Sequence, residues 1–334
     1  MSHFRWSHGL GGGHSDDRRA PDSLRHEDRE SLARCRLCPN LCEVNRMGGQ
    51  TGRCGAGDTV IIYRHGPHPG EEPPISGYHG SGTIFFSSCP LRCIYCQNHR
   101  WSQARPLAGK AYSVSELADV CLQLQHMQCH NINLVTPEPW IHHIMAAIVE
   151  AKARGLTLPV VYNTSGFVTE ESLRLLKGTV DVYLTDIRYA SPSEALEFSG
   201  VAAYFEACRT AARAMWRQVG PLVCGEDGIA TRGTIVRHLL IPGLLQTTSS
   251  VLRFITEELS PDCHVSLMGQ FEPAHLARCH PDMMRPISSQ QYAEALKVMR
   301  SMGLRRGWRQ PPGPPAPGLS GTDMQPTFSR RNPA

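Results

Sequence analysis

Long apolar runs are missing from this chain. None of its 334 residues sits in a stretch near the roughly 18 that a membrane-spanning helix needs, so no such helix is expected. Charge is also scarce: Asp, Glu, Lys and Arg make up 19%, against about 25% in ordinary globular chains. With 34 basic and 30 acidic residues the net charge is only +4. That balance leaves no electrostatic footprint for nucleic acid or an anionic membrane. The opening residues, with Asp16-Asp17-Arg18-Arg19 among them, lack the apolar core of a signal peptide, so a cytoplasmic location is expected. No repeat at a solenoid or propeller period is visible. Disorder of the whole chain is excluded as well, because hydrophobic residues make up 41% before the 30 glycines are counted.

Cysteine, by contrast, is abundant. Thirteen is an odd number, in a chain too long for a secreted disulfide scaffold. Clustered cysteines without an export signal read as metal or redox chemistry in a reducing compartment.

Composition divides the chain into four parts. Residues 1–33 are rich in Gly, Ser, His, Asp and Arg without periodicity and read as a disordered lead-in. Its His3, His8, His14 and His26 are expected to be solvated. Residues 34–79 form a Cys- and Gly-rich metal-binding segment with one apolar run, Val60-Ile61-Ile62-Tyr63. Residues 80–304 are the core. Residues 305–334 read as a disordered tail, because Pro311-Pro312-Gly313-Pro314-Pro315 continues neither a helix nor a central strand.

Within the core, β-branched runs alternate with amphipathic stretches. Strands are expected at 83–86, 132–136, 160–163, 180–185, 234–241 and 264–268. Helices are expected at 115–127, 140–154, 169–176, 193–217, 249–259 and 289–302. Six βα units in series imply a parallel sheet with helical crossovers. They fall short of a closed eight-unit barrel, and an open doubly wound sheet satisfies the same count. Polar residues gather just past nearly every strand: Cys89, then Thr136 and Glu138, then Asn163 and Thr164, then Asp186 and Arg188, then Gln270. That concentration at the carboxyl ends favours an α/β fold built as a partial (β/α)6 TIM-like barrel.

The sharpest signal is Cys89-Pro90-Leu91-Arg92-Cys93-Ile94-Tyr95-Cys96, directly after the first core strand. Three cysteines so spaced can wrap their thiolates around one iron–sulfur cluster, which usually takes four. The next residues, Gln97-Asn98-His99, hold no fourth cysteine, so one iron keeps an open position. Cys89, Cys93 and Cys96 with His99 as a structural zinc site is the competing reading.

This three-cysteine loop resembles the signature of radical S-adenosylmethionine (radical SAM) enzymes. Gly80-Ser81-Gly82-Thr83-Ile84-Phe85-Phe86, Cys96-Gln97-Asn98, His130-Asn131-Ile132-Asn133-Leu134-Val135-Thr136-Pro137 and Val161-Tyr162-Asn163-Thr164-Ser165-Gly166 resemble the branch similar to pyruvate formate-lyase activating enzymes. So do Arg237-His238-Leu239-Leu240-Ile241-Pro242-Gly243 and Met268-Gly269-Gln270-Phe271-Glu272-Pro273. Within that branch the chain looks like an uncharacterised subgroup with a Cys-rich N-terminal segment.

The resemblance implies that Cys89, Cys93 and Cys96 hold a [4Fe–4S] cluster whose fourth iron is chelated by S-adenosylmethionine. Tyr95 would lie near the adenine. Thr136-Pro137-Glu138 stands where related enzymes carry Gly-Gly-Glu, with Glu138 facing the methionyl ammonium. Asn163, Thr164 and Ser165 would contact ribose or carboxylate, and Asp186 matches an acidic position after the fourth core strand. Reductive cleavage would yield a 5′-deoxyadenosyl radical that abstracts a substrate hydrogen. A general acid or base is not obligatory for that chemistry. A reductant such as flavodoxin or ferredoxin is implied, and an activase would act on a protein substrate.

A second group, Cys35, Cys38, Cys42 and Cys54, places four thiolates within twenty residues among several glycines. Structural zinc and a second iron–sulfur cluster both match that ligand count. Three functions follow as expectations: a radical enzyme of the activase type, a radical enzyme modifying a peptide or small molecule, or a non-catalytic zinc- or cluster-binding module.

Overall fold

The structure is a computed structural model that describes residues 24–313. Its strands are β1 (Val60–His68), β2 (Ser81–Phe86), β3 (Lys110–Tyr112), β4 (Ile132–Val135), β5 (Val160–Thr164), β6 (Val182–Asp186), β7 (Val223–Cys224), β8 (Ala230–Leu239), β9 (His264–Met268) and β10 (Gly307–Gln310). Its α-helices are α1 (His26–Ala33), α2 (Pro73–Ser76), α3 (His99–Ser102), α4 (Val114–His126), α5 (Ile141–Ala153), α6 (Glu170–Leu176), α7 (Pro192–Ser199), α8 (Tyr204–Val219), α9 (Leu245–Phe254) and α10 (Ser289–Ser301). Among the described residues no helix is long and apolar enough to cross a membrane.

Strand order is β10-β9-β8-β6-β5-β4-β2-β1-β3. From β10 to β2 every neighbour is parallel, while β1 lies antiparallel to both β2 and β3. The two ends of the sheet, β3 and β10, do not pair. The expected partial barrel is the fold observed, with one more parallel strand and an antiparallel edge added to it.

Burial on both faces explains why the central strands read as near-continuous apolar runs. Ile132, Leu134, Val160, Tyr162 and Tyr183 face outward, in one cluster with Leu117 and Leu124 of α4, Ile144 and Ile148 of α5, and Leu173 and Leu176 of α6. Val161, Val182, Leu184 and Ile235 face inward, where Ile75 of α2 packs against them. Local chemistry sets the helix boundaries. Ser113 accepts from the Glu116 amide, and the Glu116 carboxylate accepts from the Ser113 amide, which starts α4 with a capping box. Thr169 caps α6 through the Ser172 amide. The helix expected over 193–217 is two helices, α7 and α8, because Gly200 takes a left-handed conformation between them.

Three boundaries differ from the sequence reading. Residues 26–33, expected in a disordered lead-in, form α1. Its Leu32 is fully buried in the main core. Asp28 accepts from Arg25 and meets His142 Nδ1 at 2.6 Å. A helix with the sequence HEDRESLA shows almost no apolar face, so periodicity could not reveal it. Residues 307–310, expected in the tail, form β10, which backbone pairing to β9 defines rather than any alternation of its own. Residues 34–79 are not a separate unit, because β1 belongs to the same sheet as the core. The rest of the lead-in and of the tail lies outside the described residues.

Leu32→Ala is expected to destabilise the fold by about 2–5 kcal/mol, as for other buried Leu→Ala changes. Chemical denaturation followed by circular dichroism measures it. A loss under about 0.5 kcal/mol, typical of surface changes, would show α1 to be undocked.

Candidate functional site

The parallel strands end around a cavity of about 320 Å³. Cys89, Cys93 and Cys96 line it from the loop after β2. So do Tyr95, Thr136, Asn163, Thr164, Ser165 and Asp186, from the same loop and from the carboxyl ends of β4, β5 and β6. Nine of the ten residues expected from sequence at this site therefore share one cavity. Glu138 is the tenth. It lies behind the wall, fully buried and outside the lining.

The cysteine loop is held from several sides. Its turn uses left-handed backbone at Ser88 and Arg92. Ile94 N donates to Phe198 O (2.9 Å) and Gln103 Nε2 to Cys93 O (2.9 Å). Cys93 Sγ accepts from Arg188 Nη1 (3.1 Å) and Ser199 Oγ (3.0 Å), and Cys96 Sγ lies 3.4 Å from Ser102 Oγ. Asp186 in turn holds Arg188 at 2.5 Å. Tyr189 Oη donates to Tyr95 Oη (2.6 Å) and lies 3.0 Å from Ser199 Oγ, and Phe271 packs beside the Tyr95 ring. All three loop cysteines are free thiols. Burial pushes the Cys89 and Cys96 thiols up, with further upward contributions from neighbouring thiolates. Sulfurs so desolvated carry negative charge only when a metal takes it up, and the donor set fits a thiolate-bound cluster.

Thr136 adopts φ +57°, a left-handed conformation that is an outlier for a β-branched residue. The resemblance places a glycine there in related enzymes, and the backbone keeps the turn that glycine would take. Glu138 Oε1 accepts from Thr164 Oγ1 (2.6 Å), Ser165 N (3.2 Å) and Ser165 Oγ (3.2 Å), while Oε2 has no partner. Glu138 thus orients two cavity residues from behind.

The cavity floor was not foreseen. Glu71 and Glu72, in the turn between β1 and α2, both receive Arg237 of β8, with Arg237 Nε donating to Glu72 Oε1 at 2.8 Å. Glu71 Oε1 also accepts from Asn133 (2.9 Å) and Asn163 (3.3 Å). The Glu71-Glu72 pair before Pro73-Pro74 and Arg237 directly after the apolar Ile235-Val236 were the available signals.

Cys35, Cys38, Cys42 and Cys54 also come together, around a separate cavity of only about 20 Å³ that Gly52 and Ala56 help to line. Burial pushes the Cys38 thiol up to about 12, and the Cys54 and Cys35 sulfurs add to the rise. Among the described residues, no three His, Cys, Asp or Glu side chains are already drawn to the spacing of ligands on one ion.

Burial holds the Glu138 carboxyl above its ordinary 4.5. The folded state therefore binds this proton more tightly than the unfolded state, and stability falls as pH rises from 4.5 toward the folded value. Glu138→Gln is expected to remove that component, so its stability relative to wild type should improve on going from pH 4 to pH 8. Denaturation series at both pH values check this. A difference between the two proteins that does not change with pH would show Glu138 to be ionised without penalty.

A model of the radical SAM superfamily matches residues 83–226. Two curated relatives come from Methanocaldococcus jannaschii. The uncharacterized protein MJ0674 is 28% identical over 278 residues, which cover 81% of this chain and 75% of that protein. The uncharacterized protein MJ0808 is 21% identical over 295 residues, covering 83% and 80%. Among solved structures, a mutant of spore photoproduct lyase aligns with a TM-score of 0.40 at 13% identity, over 64% of this chain and 70% of that one. The matched residues contain the 89–96 loop and the ends of β4 to β6, so the part of the chain that builds the cavity is the part that matches the radical SAM superfamily.

Proposed function

We propose that Cys89, Cys93 and Cys96 hold a [4Fe–4S] cluster, and that Tyr95, Thr136, Asn163, Thr164, Ser165 and Asp186 line the seat of S-adenosylmethionine beside it. The observation that carries this reading is convergence: three free thiols and six polar or aromatic residues from four segments open onto one cavity at the strands' carboxyl ends. When bound, the cluster and S-adenosylmethionine supply one-electron cleavage of the sulfonium and a carbon radical that takes a substrate hydrogen.

The chain's own groups do the positioning. Arg188 and Ser199 donate to Cys93 Sγ and stabilise its thiolate, and Asp186 keeps Arg188 in place. Glu138 fixes the Thr164 and Ser165 hydroxyls. Tyr95, Tyr189 and Phe271 form an apolar wall that excludes water from the reacting centre.

The reaction class is hydrogen abstraction. The substrate is a macromolecule, as for an activase that places a radical on a partner protein. The support for this is the open side of the sheet, where β3 and β10 do not meet. A reductant such as flavodoxin or ferredoxin supplies the electron.

Anaerobically reconstituted protein should show a [4Fe–4S] spectrum and, with dithionite and S-adenosylmethionine, release 5′-deoxyadenosine. Cys89→Ala, Cys93→Ala and Cys96→Ala should each abolish release, since each removes one of three protein ligands. Retained release in any of them sinks the assignment.

Deuterated cell protein and deuterated small metabolites, supplied separately to the reduced enzyme, test the substrate class. Deuterium entering 5′-deoxyadenosine from the protein fraction supports the activase reading. Incorporation driven only by the metabolite fraction favours a radical enzyme acting on a small molecule.

A further inference from the structure

Arg46 is 1% exposed and, among the described residues, has no carboxylate partner. Its Nε and Nη2 donate to Gly57 O (2.8 and 2.6 Å) and its Nη1 to Pro139 O (2.7 Å). The remaining neighbour of its Nη1 is Cys35 Sγ, at 3.8 Å. Its guanidinium also lies 5.2 Å from the centre of the Trp140 ring, but a buried cation held by carbonyls and a ring, with no anion, is expensive. Anionic sulfur beside it would supply the missing countercharge, and a metal-bound cysteine is anionic.

The same cysteines are built into the support of the 89–96 loop. Arg53 Nε donates to Pro90 O (3.2 Å), and its Nη2 donates to Leu91 O (3.1 Å) and Ser199 O (2.8 Å). That crossing needs Gly200, where a Cβ would stand 2.5 Å from Arg53 Nη2. Asn40 Nδ2 donates to Pro90 O (3.0 Å) and lies 3.6 Å from Cys38 Sγ. Ser88 Oγ donates to Cys54 O (3.1 Å), and Arg105 donates to the same carbonyl. Residues 34–59 contain no helix or strand, so regular backbone pairing does not hold these anchors in place.

We propose that Cys35, Cys38, Cys42 and Cys54 close around a single zinc-type ion, and that this ion is the fixed point from which the 89–96 loop is hung. Four thiolates make a closed, structural zinc site. The cavity they line, about 20 Å³, has room for about one water-sized sphere, whereas the Cys89 cavity is about 320 Å³. The larger cavity suits an iron–sulfur cubane, and the smaller one favours a single ion. Four thiolates on a divalent ion leave a net charge of −2, which Arg46 partly neutralises. The zinc assignment stands independently of the radical chemistry, while its effect on the loop rests on the cluster assignment made above.

The test is elemental analysis of zinc and iron in purified, anaerobically reconstituted protein and three variants. Wild type should hold one zinc per chain in addition to the iron of one cluster. Cys42→Ser should lose the zinc and bind reconstituted iron about 10-fold more weakly, the scale on which second-shell changes act on metal affinity. Arg53→Ala touches no proposed ligand, so it should keep the zinc and still weaken iron binding. Cys89→Ala should keep the zinc and lose the iron. Wild type without zinc, or with the iron of two clusters, overturns the single-ion site. Unchanged iron affinity in Arg53→Ala overturns the link to the loop, even where Cys42→Ser fails to fold. Iron retained in full by Cys89→Ala removes the cluster assignment and leaves the zinc result standing.

Discussion

A closed β/α barrel fills its interior with side chains, whereas this one keeps a hollow, and the charges at its floor are the reason. Arg237 reaches from β8 across the lumen to Glu71 and Glu72, and Asn133 and Asn163 bind the same carboxylate from β4 and β5. Four segments far apart in sequence meet at one buried ionic group. Burial alone would push the Glu72 carboxyl up, yet Arg237 holds it below its ordinary value. Removing one member of such a group leaves an uncompensated buried charge, commonly about 3–5 kcal/mol. Beneath it, Ile75 plugs the lumen with apolar contacts. Above it, no apolar layer can form without desolvating the charges, so the space stays open for ligands.

The parallel core was legible in the sequence because its signals are local. Runs such as Ile132 to Val135 are β-branched and buried on both faces, and the residue after each run is polar because it caps a strand at the cavity. The three-cysteine loop was legible for the same reason, since its ligands fall within eight consecutive residues. What sequence could not show depends on pairing at long range. The eight residues of α1 are mostly polar in sequence, and the helix is fixed by the buried Leu32 and by the Asp28–His142 contact. β10 exists because β9 offers an edge. Glu71 and Glu72 look like solvated turn residues until Arg237, 165 positions further on, is brought over them. Glu138 was expected to face a ligand. It lies behind the cavity wall instead, with one carboxylate oxygen bound by Thr164 and Ser165, a relation between segments that no spacing rule encodes.

The two cysteine groups differ in what surrounds them. The 89–96 loop opens onto a large polar cavity, with donors aimed at Cys93 from Arg188 and Ser199. The 35–54 group is wrapped by backbone and by a buried arginine, with almost no free volume. They nevertheless share a wall: the carbonyls of Pro90 and Leu91 on one side are the acceptors for Asn40 and Arg53 on the other. Sequence composition separated these segments, and packing joins them.

The strand order has a consequence for biosynthesis. Apart from the antiparallel β1–β3 edge, spatial neighbours follow chain order from β2 to β10. Each parallel strand can therefore dock on the one made just before it, and the sheet can grow in one direction as the chain leaves the ribosome. The cysteine loop belongs to the earliest part of that growth, whereas the strands that finish the cavity wall come last. At about 5–20 residues per second, the 238 residues that follow Cys96 take roughly 12–48 s to synthesise. For that interval the three thiols stand at an unfinished edge, more accessible than they are in the completed fold.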